Sequence, residues 1–263
     1  MEFEDFMKRN KAFVWTMFGI IIISLLMNSF SVTGQQTLSI ARFRAVAIPY
    51  PDMGYWKFNE GYGTITQDKT FNNNDGNLIN GASWSTNSVS GFAVELDGLD
   101  DGVQVTTSSS LNPKGSFSID AWIYPRSFSQ NQIIVAKWGD EGSWNNQRAY
   151  SFHTLTNGGL RFAISDTEHQ LDGSFHIFDT PTGVLTLNEW NHVTATYNSK
   201  TGTRKIYVGG VEVASRTDAP IKILGSVTDL GIGIGLTSPT TEELHFDGYI
   251  DEVKLYSKAI KPN

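Results

Sequence analysis

The chain has 263 residues, a formal net charge of −7 and no cysteine. The negative balance offers little to neutralise phosphates, so no nucleic-acid partner is expected. The missing thiols exclude disulfides, thiolate metal sites and a cysteine nucleophile. Glycine is abundant (25) and aromatic residues reach 12%, a composition that suits short strands and turns in one large β domain.

In chain order, the first element is apolar. Lys8, Arg9 and Lys11 precede an uncharged run from Ala12 to Gly34, which predicts an N-terminal hydrophobic helix with its basic flank on the cytoplasmic side. Two readings stand side by side for residues 1–34. One is a secretory signal peptide cut after Val32-Thr33-Gly34. The other is an uncleaved membrane anchor. A pilin-like signal cut near Lys11-Ala12 is a third. Each sends the remainder out of the cytoplasm, so the expected location is extracellular or at the cell surface. Residues 35–50 read as a linker or stalk, and 51–263 as one domain.

Beyond residue 50, short apolar or alternating runs alternate with turn signals. The expected strands are Tyr55–Phe58, Phe92–Leu96, Val103–Val105, Phe117–Ile123, Ile133–Trp138, Tyr150–Thr154, Leu160–Ile164, Trp190–Tyr197, Lys205–Val208, Val211–Ala214, Leu230–Ile234 and Phe246–Tyr256. The segment "KIYVGGVEVAS" predicts a two-residue hairpin, because Gly209-Gly210 tolerates the positive φ that such a turn requires. No segment sustains a helical period, and many short strands with regular turns predict a sandwich or barrel.

Five blocks carry a family resemblance. "GYWKFNEGYGTITQDKTFNNNDGNLINGASW" resembles the opening of LamG-like jelly-roll domains in the concanavalin A-like lectin/glucanase superfamily. There, an aromatic strand W-x-F-(D/N)-E leads into a polar loop and a Gly-Ala-x-W turn. "GFAVELDGLDDGVQV" resembles the next block, with Leu96 in place of its Phe and Gly102 in place of its Tyr. "GSFSIDAWIYP", "EWNHVTATYNSKTGTRKIYVGGVEVAS" and "FDGYIDEVKLYSKAI" resemble the later blocks, in the family's order. The resemblance implies an all-β, two-sheet antiparallel jelly-roll sandwich.

In "GYIDEVKLY", strict alternation places Tyr249, Asp251, Val253 and Leu255 on one face, and Ile250, Glu252, Lys254 and Tyr256 on the other. A carboxylate on an apolar face needs a cation, hydrogen-bond donors or a shifted pKa. Domains of this family often hold a structural Ca²⁺ at the closing-strand Asp. The resemblance therefore implies calcium at Asp251, with Asp68, Asn74, Asp75 and the Gly91 carbonyl as candidate ligands. The alternative is satisfaction by backbone N–H groups, or pairing with Lys57 or Lys69.

No catalytic site is expected. A retaining glucanase needs two carboxylates on one strand face, and no strand carries E-x-D-x-x-E. Asp120 is alone, Asp247 and Asp251 are four apart, and Glu252 falls on the opposite face. His192 reads as structural. His169 and His176, with Asp166, Glu168 and Asp172, read as a solvated loop. "GIGIG" lacks the helix that a dinucleotide site needs.

Sugar recognition needs aromatic faces beside polar groups. "AKWGDEGSWNNQRAYSFH" supplies Trp138 and Trp144 with Asp140, Asn145, Asn146 and Arg148. Trp56, Trp84, Trp122 and Trp190 fall in core-like blocks and read as packing. The expected function is an exported, non-catalytic module for carbohydrate binding or adhesion, with a glycan or cell-surface protein as partner. The alternative is a structural component of a surface layer, pilus-like fibre or virion.

Overall fold

The computed structural model describes residues 50–140, 142–166, 176–239 and 241–262, with the side chains of Trp144, Thr241 and Glu242 set aside. The apolar segment 1–34 and the stalk up to residue 49 lie outside the described residues. Among the described residues, no helix is long and apolar enough to cross a membrane.

The strands in chain order are β1 (Gly54–Trp56), β2 (Ile65–Thr66), β3 (Gly76–Ile79), β4 (Ser83–Ser85), β5 (Ala93–Asp97), β6 (Gly102–Val105), β7 (Phe117–Pro125), β8 (Gln132–Lys137) and β9 (Tyr150–Thr154). They continue as β10 (Leu160–Ile164), β11 (His176–Asp179), β12 (Asn191–Asn198), β13 (Thr203–Val208), β14 (Val211–Thr217), β15 (Leu230–Ile232), β16 (Gly235–Ser238), β17 (Thr241–Glu243) and β18 (Asp247–Tyr256). One sheet runs β14-β13-β12-β7-β18-β5-β4, with β1 also beside β18. The second runs β11-β10-β9-β8-β15-β6-β3-β2, and β16 pairs with β17 alone. The pairings are antiparallel. This is the expected two-sheet sandwich.

Alternation builds its core. Ile119, Ala121 and Ile123 of β7 and Val193, Ala195 and Tyr197 of β12 face inward from the first sheet. Val135, Phe152, Phe162 and Ile232 meet them from the second. Each buried large side chain stabilises the fold by about 1.5–3 kcal/mol. The Gly209-Gly210 turn joins β13 to β14 with φ of 57° and 76°, as the hairpin requires.

The expected list lacks β2, β3, β4, β11, β16 and β17. These strands have two to four residues, too few to display a period. β3 also lies inside an Asn/Gly-rich stretch that reads as a loop, and only Leu78 marks its core face.

The closing strand departs from simple alternation. The β18–β7 register shifts between Asp251 and Lys254, and Glu252 has a φ of 51°. This β-bulge inserts one residue and exchanges the faces. Ile250 therefore joins Val253 and Leu255 in the core, while Tyr249 turns outward. Asp251 lies opposite Trp122, on the outer-face register with Tyr249 rather than on the core face, yet it is fully buried, with the Val89 and Ser90 N–H groups on its carboxylate.

Candidate ligand-binding site

A cleft of about 200 Å³ opens on the outer face of the second sheet. Strand register builds its floor from two cross-strand rows. Ile133, His153, Arg161 and Asp179 form one row across β8, β9, β10 and β11. Ala136, Ser151, Ala163 and Ile177 form the next. The residues between them, such as Phe152 and Phe162, face the core. Gly235 and Thr237 of β16, with Glu243 and Leu244, make one wall.

Trp138 also lines the cleft, at the end of β8. Its indole N–H donates to Asp140 Oδ2 at 3.0 Å, and Arg148 pairs with the other Asp140 oxygen. Asp140 and Arg148 thus neutralise each other and hold the ring in place. Arg148 Nη1 also donates to Asn146 Oδ1 (3.2 Å). The loop is closed by paired Gly139 and Gln147 backbones and tied to β16 through the Asp140 N–H and Thr237 carbonyl (3.0 Å). Asn145 is exposed, and Trp144 belongs to the 3-10 turn Gly142–Trp144. Of the residues singled out for ligand binding, Trp138, Asp140 and Arg148 come together, and among the described side chains Trp138 lines the cleft.

His153 is the residue that sequence reasoning passed over. The residue is 8% exposed, and among the described residues neither ring nitrogen has a hydrogen-bond partner. Such a group costs about 1–3 kcal/mol when left unsatisfied. Burial, reinforced by the Arg161 guanidinium, pushes its pKa down to about 4, against a weaker upward pull from Asp179. The ring is therefore neutral at pH 7. Arg161 is engaged by Asp179 through two parallel bonds of 2.7 Å. A signal for His153 exists in "YSFHTLTNGGLRFA": the tight Asn157-Gly158 connection sets His153 opposite Arg161, on the face away from Phe152 and Phe162.

The carboxylates considered for calcium are met by donors. Asp251 Oδ2 accepts the N–H groups of Val89 (2.9 Å) and Ser90 (3.2 Å), and Oδ1 accepts that of Glu252 (2.7 Å). Asp68 accepts the N–H groups of Tyr55, Thr70 and Asn74 and the Thr70 hydroxyl. Asp75 accepts the Asp68 N–H at 2.9 Å. The Asn74 side-chain oxygen takes the Ser108 and Ser110 hydroxyls, and the Gly91 carbonyl takes the Ser88 hydroxyl. Among the described residues, the acidic groups that gather in threes are Asp97, Asp100 and Asp101; Asp68, Asp75 and Asp251 do not form such a group. A shell of N–H donors is the opposite of what a cation needs, so these residues do not fit one calcium site. Of the lysines considered as alternatives, Lys69 pairs with Glu60 at 3.1 Å, and Lys57 lies over the Tyr55 ring.

The tryptophans read as packing divide. Trp56 is fully buried, and Trp84 packs against the core. Trp122 and Trp190 instead sit half-buried on the outer face of the first sheet. Trp122 stacks on His192 (4.8 Å), and Trp190 and Tyr249 meet Tyr124 edge-on. His192 bonds Asp120 at 2.9 Å, in keeping with a structural role. The Trp190 indole N–H donates to Asn87 Oδ1 at 3.3 Å. Of the 166–176 loop, residues 167–175 lie outside the described residues; His176 sits 3.3 Å from Asp166.

The two packed antiparallel sheets define a jelly-roll sandwich of the lectin type. A family model described as the concanavalin A-like lectin/glucanases superfamily, of the laminin G-like kind, matches residues 96–263, and the chain belongs to this family. No curated protein matches it significantly. Among solved structures, it is similar to the binding domain of Paraclostridial Mosquitocidal Protein 1 (TM-score 0.61, 14% identity, covering 80% of this chain and 49% of that one). It is also similar to domain 4 of AbnA, an extracellular arabinanase from Geobacillus stearothermophilus, in complex with arabinotriose (TM-score 0.56, 17% identity, 79% and 93% covered). A third is a botulinum neurotoxin type C structure whose cell entry is described as dependent on two ganglioside molecules (TM-score 0.59, 19% identity, 80% and 48% covered). The chain spans about half the length of these toxin structures. At these identities, the likeness concerns the fold.

Proposed function

We propose that residues 51–263 form an exported, non-catalytic module that binds carbohydrate through the cleft beside Trp138. The observation that carries this reading is the cleft itself: an apolar, concave surface with one aromatic ring and a few convergent polar groups, the usual make-up of a small-ligand site. The arabinotriose complex of one similarly folded domain, and the ganglioside dependence of cell entry printed for another, support the ligand class. The basic flank and apolar run of residues 1–34 support export. The resemblance also implies a structural calcium, whereas the donors around Asp251 and Asp68 argue for the ion-free form.

A glycan array probed with the purified domain tests binding. Saturable signal on a defined glycan is expected, and Trp138→Ala should weaken it at least tenfold, or about 1.4 kcal/mol. Silence across the array overturns the reading. For location, protease added to intact cells should digest the domain. Protection of the domain while a known surface protein is cut would count against export.

A further inference from the structure

The fold leaves His153 unsatisfied at the floor of the cleft. Every other polar side chain of its cross-strand row is engaged: Arg161 and Asp179 bind each other. Among the described residues, His153 finds no partner for either nitrogen, although it is 8% exposed and lines the cleft. Buried polar groups without partners are rare in folded proteins, and each calls for an explanation.

We propose that the cleft takes a single neutral sugar ring and that His153 reads its hydroxyl groups, an inference that rests on the carbohydrate reading of this cleft. Size is the first argument. A cavity of about 150 Å³ suffices for one benzene ring, so about 200 Å³ suits one six-membered ring, with the open mouth left for the rest of a chain. Chemistry is the second. A neutral imidazole offers one donor and one acceptor, which matches hydroxyl groups that both give and take a hydrogen bond. Ile133, Ala163, Ile177 and Leu244, with the Trp138 ring, present apolar surface for the C–H face of the sugar. Charge is the third. The guanidinium of Arg161 is neutralised by Asp179. Among the described residues lining the cleft, an acidic sugar would meet no surplus cation.

The test compares wild type, His153→Leu and His153→Gln, with free glucose, galactose, mannose, arabinose and N-acetylglucosamine as neutral probes and sialic acid as the acidic one. Binding is followed by calorimetry and by the ¹⁵N shifts of the histidine rings. The wild type should bind a neutral probe and shift one buried histidine signal. His153→Leu should lose at least tenfold in affinity while its melting temperature stays level or rises, because an unpaired imidazole has been replaced by an apolar group of similar size. His153→Gln should recover part of the affinity. A His153→Leu protein that binds glycans as well as the wild type would overturn the role of His153 and leave the binding module standing. Preference for sialic acid would overturn the neutral ligand. No binding of any probe or array glycan by the wild type would overturn the cleft reading, and this inference with it.

Discussion

Trp56→Ala is expected to cost about 4 kcal/mol of unfolding free energy, the upper range for a buried aromatic. Trp56 is fully buried on β1, opposite Val253 of the closing strand, and it bridges to Asp68. Its indole N–H donates to the Asn74 carbonyl at 2.8 Å. Truncation therefore leaves a cavity and an orphaned carbonyl together, at the point where the chain's opening strand, polar loop and closing strand meet. For a domain of this size, about 4 kcal/mol corresponds to a fall in melting temperature of roughly 8–16 °C. Trp56→Phe restores most of the volume but not the donor, so it should cost less, about 1–3 kcal/mol. Urea titrations of the three proteins check this. Equal losses for Phe and Ala would show that the hydrogen bond, rather than the cavity, sets the cost, and no loss would place Trp56 outside the core.

Much of this architecture is legible in the sequence because two-residue alternation is a strong signal wherever one face is buried. Ile119-Ala121-Ile123 and Val193-Ala195-Tyr197 announce their strands directly. Gly209-Gly210 announces its turn because few other residues accept positive φ at both positions. Alternation says nothing about insertions, however. The bulge at Asp251-Glu252 is invisible to it, so Tyr249 read as core and Ile250 as outward, the reverse of their places in the fold. The same limit applies to outer faces. Trp122 and Trp190 read as core because large aromatics usually are, yet on this sheet they sit half-buried at the surface, Trp122 against His192 and Trp190 against Tyr124 and Tyr249. At the cleft, Trp138 could be picked out from its Gly-rich, polar surroundings. His153 could not be picked out by residue type, since its significance is the lack of a partner, which only the placement of four strands reveals.

Asp251 offers two outcomes that point in opposite directions. Without a metal, its carboxylate is held by three backbone N–H groups, so Asp251→Ala should cost about 2–3 kcal/mol through the donors it strands. Chelator should then leave the melting temperature of the wild type unchanged. With a bound calcium at a hundredfold excess over its Kd, chelation would remove roughly 2.7 kcal/mol, a fall of several degrees. The pH dependence separates the cases again. Burial pushes the Asp251 carboxyl up to about 6, with the N–H groups of Ser90 and Val89 pulling the other way. A folded-state pKa above the unfolded value contributes stability that is fully present below about pH 4 and is lost as pH rises through about 6. The stability of the wild type relative to Asp251→Asn should therefore fall between pH 4 and 6. A calcium would favour the ionised carboxylate and lower its pKa, so the same difference would rise with pH across the acid range. Thermal melts of both proteins at several pH values, with and without chelator, read both effects. Burial without a metal, which outweighs the N–H donors, predicts a falling difference and no response to chelator; a rising difference together with a chelator-sensitive wild type would establish the calcium and overturn the metal-free account of Asp251.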